Sequence, residues 1–162
     1  MLRQIVNILL YFLPPSRLFY LRRQFYKLAK INLHEDVKLC GRSWVYGRGS
    51  LIIGDRTWIS PGCNFFTHTE ASIEIGADCD IGPNTNFIIG SHKLGCASRR
   101  AGKGIANSIK IGSGCWIGAN VTIIDGVEIS DGSVVAAGSI VISNVPRDVL
   151  VAGVPAVVKK EL

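Results

Sequence analysis

The sequence predicts an all-β solenoid, on three observations. From Ile111 to Pro146 six hexads follow one another without a gap, opening at Ile111, Ile117, Ile123, Ile129, Val135 and Val141. Four positions after each opener stands a small or β-branched residue: Cys115, Val121, Val127, Ser133, Ser139 and Val145. A six-residue period suits neither an α-helix nor an alternating strand, so each hexad is one short strand with its corner, stacked on its neighbours. The frame also recurs upstream. Ile53, Ile59 and Phe65 open hexads with Thr57, Cys63 and Thr69 in the small slot, and Ile75, Ile81 and Phe87 do so with Cys79 and Thr85. Leu39, Val45 and Leu51 form a looser start. Finally, eighteen glycines without collagen spacing are what repeated corners require, since Gly, Asn and Asp tolerate positive φ there.

Residues 1–31 read as a separate helical segment, and 32–162 as the solenoid. Leu2, Ile5, Val6, Leu9 and Phe12 lie at helical spacing, Pro14 and Pro15 break the run, and Ser16 is placed to cap a second helix carrying Leu18, Leu21, Phe25 and Leu28. The first apolar run is too short to span a bilayer and has no signal-peptide cleavage site. Two readings of this stripe stand. It caps the open end of the coil or packs on a neighbouring subunit, or it rests on the anionic cytoplasmic face of the inner membrane.

Charge narrows the choice of partners. Arg3, Arg17, Arg22, Arg23, Lys27 and Lys30 fall in the first thirty residues with no acidic residue among them, which accounts for the whole net charge of +6. The rest of the chain is balanced, so the solenoid offers no basic excess to nucleic acid. Five cysteines include no CxxC pair, and Cys63, Cys79 and Cys115 share the inward small slot. They read as small core residues in a reducing, cytoplasmic compartment. No metal is expected: His34, His68 and His92 form no short-range ligand pair.

The repeat is interrupted twice. Phe65 and Ile75 are ten apart, and the frame vanishes from about 91 to 110, where a Gly-containing polar segment is expected to project as a loop. His92 sits at its base. Imidazole, with an unperturbed pKa near 6.5, is the side chain suited to take a proton near neutrality. His34 reads as a surface residue, and His68 either lines a cleft or faces solvent.

The hexads, the histidine at the root of the loop, the run IGSGCWIGANVTIIDGV (111–127) and the ending AGVPA (152–156) together resemble the hexapeptide-repeat acetyltransferases. The similarity is greatest to the maltose, galactoside and nodulation-type O-acetyltransferases and to enzymes that acetylate bacterial surface polysaccharides. It covers about 39–160. The resemblance implies a left-handed parallel β-helix, a homotrimer, and acetyl-CoA as co-substrate in a groove between subunits, with no metal required. It implies direct acetyl transfer to a sugar hydroxyl, His92 acting as general base. N-acetylation of an amino-sugar nucleotide and a non-catalytic trimeric scaffold are the alternatives.

By the same resemblance Glu70 and Asn64 hold the sugar, while Trp116, Ala119, Ala137 and Gly138 border the cofactor arm. Ser143 and Val157 stand where relatives often carry Lys or Arg. This leaves Arg147, Lys159 and Lys160 as cations for the CoA phosphates. Arg99 and Arg100, with Lys103, stand beside His92 and suit an acidic or diphosphate-bearing acceptor.

Overall fold

The computed structural model describes all of residues 1–162. Helices α1 (Leu2–Tyr11) and α2 (Phe19–Leu28) precede a coil that adds one strand to each of three faces per turn. The first turn holds β1 (Asn32–Leu33), β2 (Lys38–Leu39) and β3 (Trp44–Tyr46); the second, β4 (Ser50–Ile53), β5 (Trp58–Ile59) and β6 (Asn64–Phe66). The third holds β7 (Ser72–Ile75), β8 (Asp80–Ile81) and β9 (Asn86–Ile88), and is followed by the excursion β10 (Gly90–Leu94) and β11 (Ala101–Ala106). The coil then continues with β12 (Ile109–Ile111), β13 (Trp116–Ile117), β14 (Thr122–Ile124), β15 (Glu128–Ile129), β16 (Val134–Val135) and β17 (Ile140–Val141), and ends with β18 (Val149–Gly153) and β19 (Ala156–Glu161). The first face stacks β1, β4, β7, β12 and β15, and the third stacks β3, β6, β9, β14 and β17. The second runs from β2 through β5, β8, β13 and β16 to β18, and β19 closes it antiparallel.

Every hexad opener from Ile111 onward is buried, and so is every small-slot residue four places on. Ile111 pairs with Ile129 and Ile117 with Val135, so identical slots stack and fill the interior in ladders. Phe65 over Phe87, 5.0 Å apart and nearly parallel, is the aromatic part of that ladder. The cysteines of the small slot, Cys63, Cys79 and Cys115, are buried free thiols. Earlier turns are longer than eighteen residues because their corners bulge. One expected slot fails for that reason: Thr69 is exposed in the corner after β6, and Thr67 is buried there instead, its hydroxyl donating to Tyr46 O at 2.6 Å.

The coil also resumes before Ile111. Ile109 already pairs with Ile73, because first-face strands here bury two residues each, as Leu51 and Ile53 do in β4. A period of six catches only the second of each pair. Ser16 does not cap α2. Its N-cap is Leu18, in the left-handed region at φ 59, with no side-chain bond.

The helices close the lower end. Val6 and Leu10 of α1 join the core, and Asn7 between them imitates a strand: its Nδ2 donates to Val45 O at 3.0 Å and its Oδ1 accepts from Val45 N at 3.3 Å. Two of the six N-terminal cations are consumed here. Arg3 donates to Ala29 O, Lys30 O and Gly49 O, tying α1 to the end of α2 and to the first corner. Arg22, 1% exposed, donates to Leu10 O, Leu13 O, Pro14 O and Arg17 O; Leu10 O and Pro14 O also accept from Leu13 N and Arg17 N, so the guanidinium completes the carbonyls at the end of α1 and in the following turn.

Candidate functional site

The excursion is a β-hairpin rather than an irregular loop. Gly90 pairs with Ala106, Ser91 with Ile105 and His92 with Gly104, and the register slips before Leu94 pairs with Ala101. It leaves the coil at the corner between the third face and the first. The tip is tied by Gly95 N donating to Arg100 O at 2.9 Å and Arg99 N to Cys96 O at 3.1 Å. His92 is exposed, and the residue across the ladder, Gly104, presents no side chain beside it. Lys93, Arg99, Arg100 and Lys103 are also exposed and take part in no ion pair, and no acidic residue occurs from Ile81 to Ile124. The hairpin itself thus carries four cations and no acid, with Glu70 and Asp125 in the corners one turn below and above it. At the tip, the Cys96 thiol lies 3.0 Å from Ser98 Oγ, a hydrogen bond that lowers its pKa.

A groove of about 760 Å³ runs along the second face. Trp116, Ala119 and Ala137, expected at a cofactor arm, all line it, and Trp116 is 61% exposed. Beneath the groove the turns stack closely at small residues: a Cβ on Gly118 would stand 2.5 Å from Ala137 N of the next turn. Gly138 does not line the groove. It forms the adjoining corner at φ +73, a conformation that glycine adopts without strain.

Lys159 and Lys160 are exposed on β19, at the upper edge of this face, and Lys160 pairs with the groove residue Leu150. Arg147, the third cation named for the phosphates, does not line this groove. It is held 3.5 Å from both Asp131 and Asp148, and it lines a separate polar groove on the first face with Glu74, Lys110 and Glu128.

Trp58, Ser60, Asp80 and Pro83 also line the second-face groove and were not expected there. A signal for them existed. Trp58, Asp80 and Trp116 each precede an opener and align across three turns, so they share the outward slot of one face.

The acceptor candidates lie elsewhere. Asn64 is on the third face with its amide nitrogen donating to Asn86 Oδ1 at 3.0 Å and Gly62 O at 3.2 Å. Glu70 is exposed in the corner one turn below the hairpin. There His68 Nδ1 accepts from Glu70 N at 3.2 Å, which makes His68 a brace of that turn. His34 is a surface residue paired with Asp55 at 3.2 Å. No three His, Cys, Asp or Glu side chains converge as metal ligands would.

One geometric fact governs the rest. A coil with three faces has each corner opposite a face, and the corner that bears His92 is opposite the second face. No hairpin residue lines the groove. A single chain thus displays the histidine and the groove on different sides.

Comparison with known proteins agrees with this architecture. Residues 108–143 match the family model described as bacterial transferase hexapeptide, six repeats. Galactoside O-acetyltransferase of Escherichia coli K12 is 32% identical over 68% of this chain, which spans only 63% of that enzyme's length. A hexapeptide-repeat acetyltransferase of Vibrio cholerae, solved with acetyl coenzyme A, superposes with a TM-score of 0.86 at 31% identity, covering 99% of this chain and 87% of its own. A polySia-specific acetyltransferase, NeuO, gives a TM-score of 0.71 at 32% identity, covering 81% and 61%. With its hexads, three stacked faces and hairpin matched along nearly their whole length, the chain belongs to the hexapeptide-repeat acetyltransferases.

Proposed function

We propose that the protein is an acetyl-CoA-dependent O-acetyltransferase acting on a sugar hydroxyl of a surface glycan, as a homotrimer of left-handed β-helices. The observation that carries this reading is the groove of small residues beside Trp116, together with an exposed histidine on the opposite corner. Such a pair becomes a site only when another copy brings its hairpin to the groove. The acetyl-CoA in the Vibrio relative and the sugar acceptor of the galactoside enzyme support the two substrates.

In this site the pantetheine arm lies along Ala119 and Ala137 with Trp116 near the thiol end, Gly138 keeps the corner open, and Lys159 and Lys160 meet the phosphates. His92 of a neighbouring copy takes the acceptor hydroxyl proton as that oxygen bonds to the thioester carbonyl carbon. Collapse of the tetrahedral intermediate breaks the carbon–sulfur bond, and the departing thiolate receives the proton back from the imidazolium. Glu70, in the hairpin's corner one turn below, and Asn64, at the opening of the third face, are the residues proposed to orient the sugar.

The uncompensated cations of the hairpin select an anionic acceptor, a carboxylated sugar or a diphosphate-linked one. An acceptor panel read by CoA release tests both levels. Hydroxyl sugars are expected to be acetylated and amino sugars not, and turnover of the amino sugars alone would move the assignment to N-acetylation. Arg99→Ala with Arg100→Ala is expected to raise the KM of an acidic acceptor about tenfold while leaving the KM for acetyl-CoA unchanged. An unaltered acceptor KM would remove the anionic preference.

A further inference from the structure

Covering the end of the coil uses only one side of α1. With Val6, Asn7 and Leu10 turned inward, the outer side presents Met1, Leu2, Ile5, Ile8, Leu9 and Phe12, of which Met1 is 88% and Phe12 80% exposed. They recur at three- and four-residue steps, so they form one unbroken apolar stripe with no charge in it. Leu18, Tyr20, Leu21 and Leu28 are exposed nearby on α2. A contiguous apolar surface of this kind on a folded chain marks a contact.

The charge around the stripe identifies what it contacts. Arg17, Lys27 and Lys30 are exposed, as are Arg42 and Arg48 of the first turn, and Arg23 lies partly exposed over the Tyr20 ring at 5.8 Å. No acidic residue precedes Glu35; the first turn also exposes Glu35 and Asp36, the latter beside Arg23, so cations outnumber acids at this end without being its only charges. Pairing this surface with the same surface of another copy would set cation against cation. An anionic bilayer satisfies both features, taking the stripe among its acyl chains and the cations at its headgroups. We propose that the lower end of the solenoid, formed by the outer side of α1 and the cations beside it, docks on an anionic lipid surface.

The docking gives the hairpin a height. Arg48 and Lys30 mark the lower end of the same edge that bears His92 two turns above, and adjacent turns are about 4.8 Å apart; with α1 lying between that end of the coil and the lipid, the hairpin root stands roughly 20 Å above the docking surface. If the acetyl-transfer reading holds, an acceptor carried on a lipid would meet the site at that level. The docking itself does not depend on the chemistry.

Vesicle co-sedimentation of the full chain tests it without reference to activity. Binding to phosphatidylcholine vesicles containing about 30% phosphatidylglycerol is expected to exceed binding to pure phosphatidylcholine by at least about tenfold. It should fall in about 0.5 M salt. Leu2→Gln, Leu9→Gln and Phe12→Gln together should abolish it at unchanged thermal midpoint, since these side chains touch no core. Arg17→Ala with Lys27→Ala should weaken it with the stripe intact. Failure of the wild-type chain to bind either vesicle overturns the proposal. So does a wild-type assembly, measured by light scattering, that dissociates on the three glutamine substitutions, because another copy would then cover the stripe.

Discussion

His92→Ala is expected to lower the rate of acetyl transfer by about a hundredfold to ten-thousandfold, the span a positioned general base supplies. The affinity for acetyl-CoA should stay within about twofold of wild type, because in the proposed site the groove residues and the β19 lysines hold the cofactor while the imidazole meets the acceptor hydroxyl. Calorimetric titration with CoA and steady-state turnover separate the two quantities. A second measurement tests where the base acts. Ala119→Leu fills the groove but leaves the hairpin intact, so each variant alone should be inactive. In any mixed trimer one groove faces one intact histidine, and co-refolded equimolar variants should recover about a quarter of wild-type activity. Undiminished turnover by His92→Ala would overturn the mechanism. Absence of recovery in verified mixed trimers would overturn the shared site.

Arg22→Met is expected to cost about 3 kcal/mol of stability, lowering the thermal midpoint by about 6–12 °C for a chain of this size. The guanidinium is almost wholly inaccessible and donates to four carbonyls, at distances from 2.8 to 3.2 Å. Methionine fills much of the volume but leaves Leu13 O and Arg17 O without their donor, while Leu10 O and Pro14 O keep only backbone N–H partners. Lysine should not rescue, since a single ammonium cannot reach carbonyls spread around a planar fork. Lys27→Ala, at a neighbouring exposed cation, should change stability by less than about 0.5 kcal/mol and serves as the control. A midpoint for Arg22→Met within a degree of wild type would show that the helical cap does not contribute to the stability of the coil.

The period of six carried most of the fold, because a stacked turn puts equivalent side chains in register and only certain sizes fit each slot. It was legible wherever corners were short. It failed at Thr69 and before Ile111, where bulged corners or strands with two inward residues detach burial from strict counting. Trp116, Ala119 and Ala137 were reached through the family resemblance, which matches them within one continuous run; the period alone marks them only as outward or corner positions. Trp58 and Asp80 required knowing which turn lies on which, a long-range relation that no local spacing states. Charge misled at Arg3 and Arg22: composition counts a cation as free, and only the folded chain shows that carbonyls have taken it.

Asn7 has a consequence beyond holding α1 in place. A solenoid is a repeating unit with two sticky ends, and the bottom of β3 would accept the top of another coil as readily as its own next turn. By offering one amide to Val45, donor and acceptor together, Asn7 ends the stack as a terminator ends a polymer. At the other end β19 reverses direction and does the same for the second face. At these two edges the ladder is closed within the chain, so end-to-end addition of another coil would first have to displace Asn7 or β19.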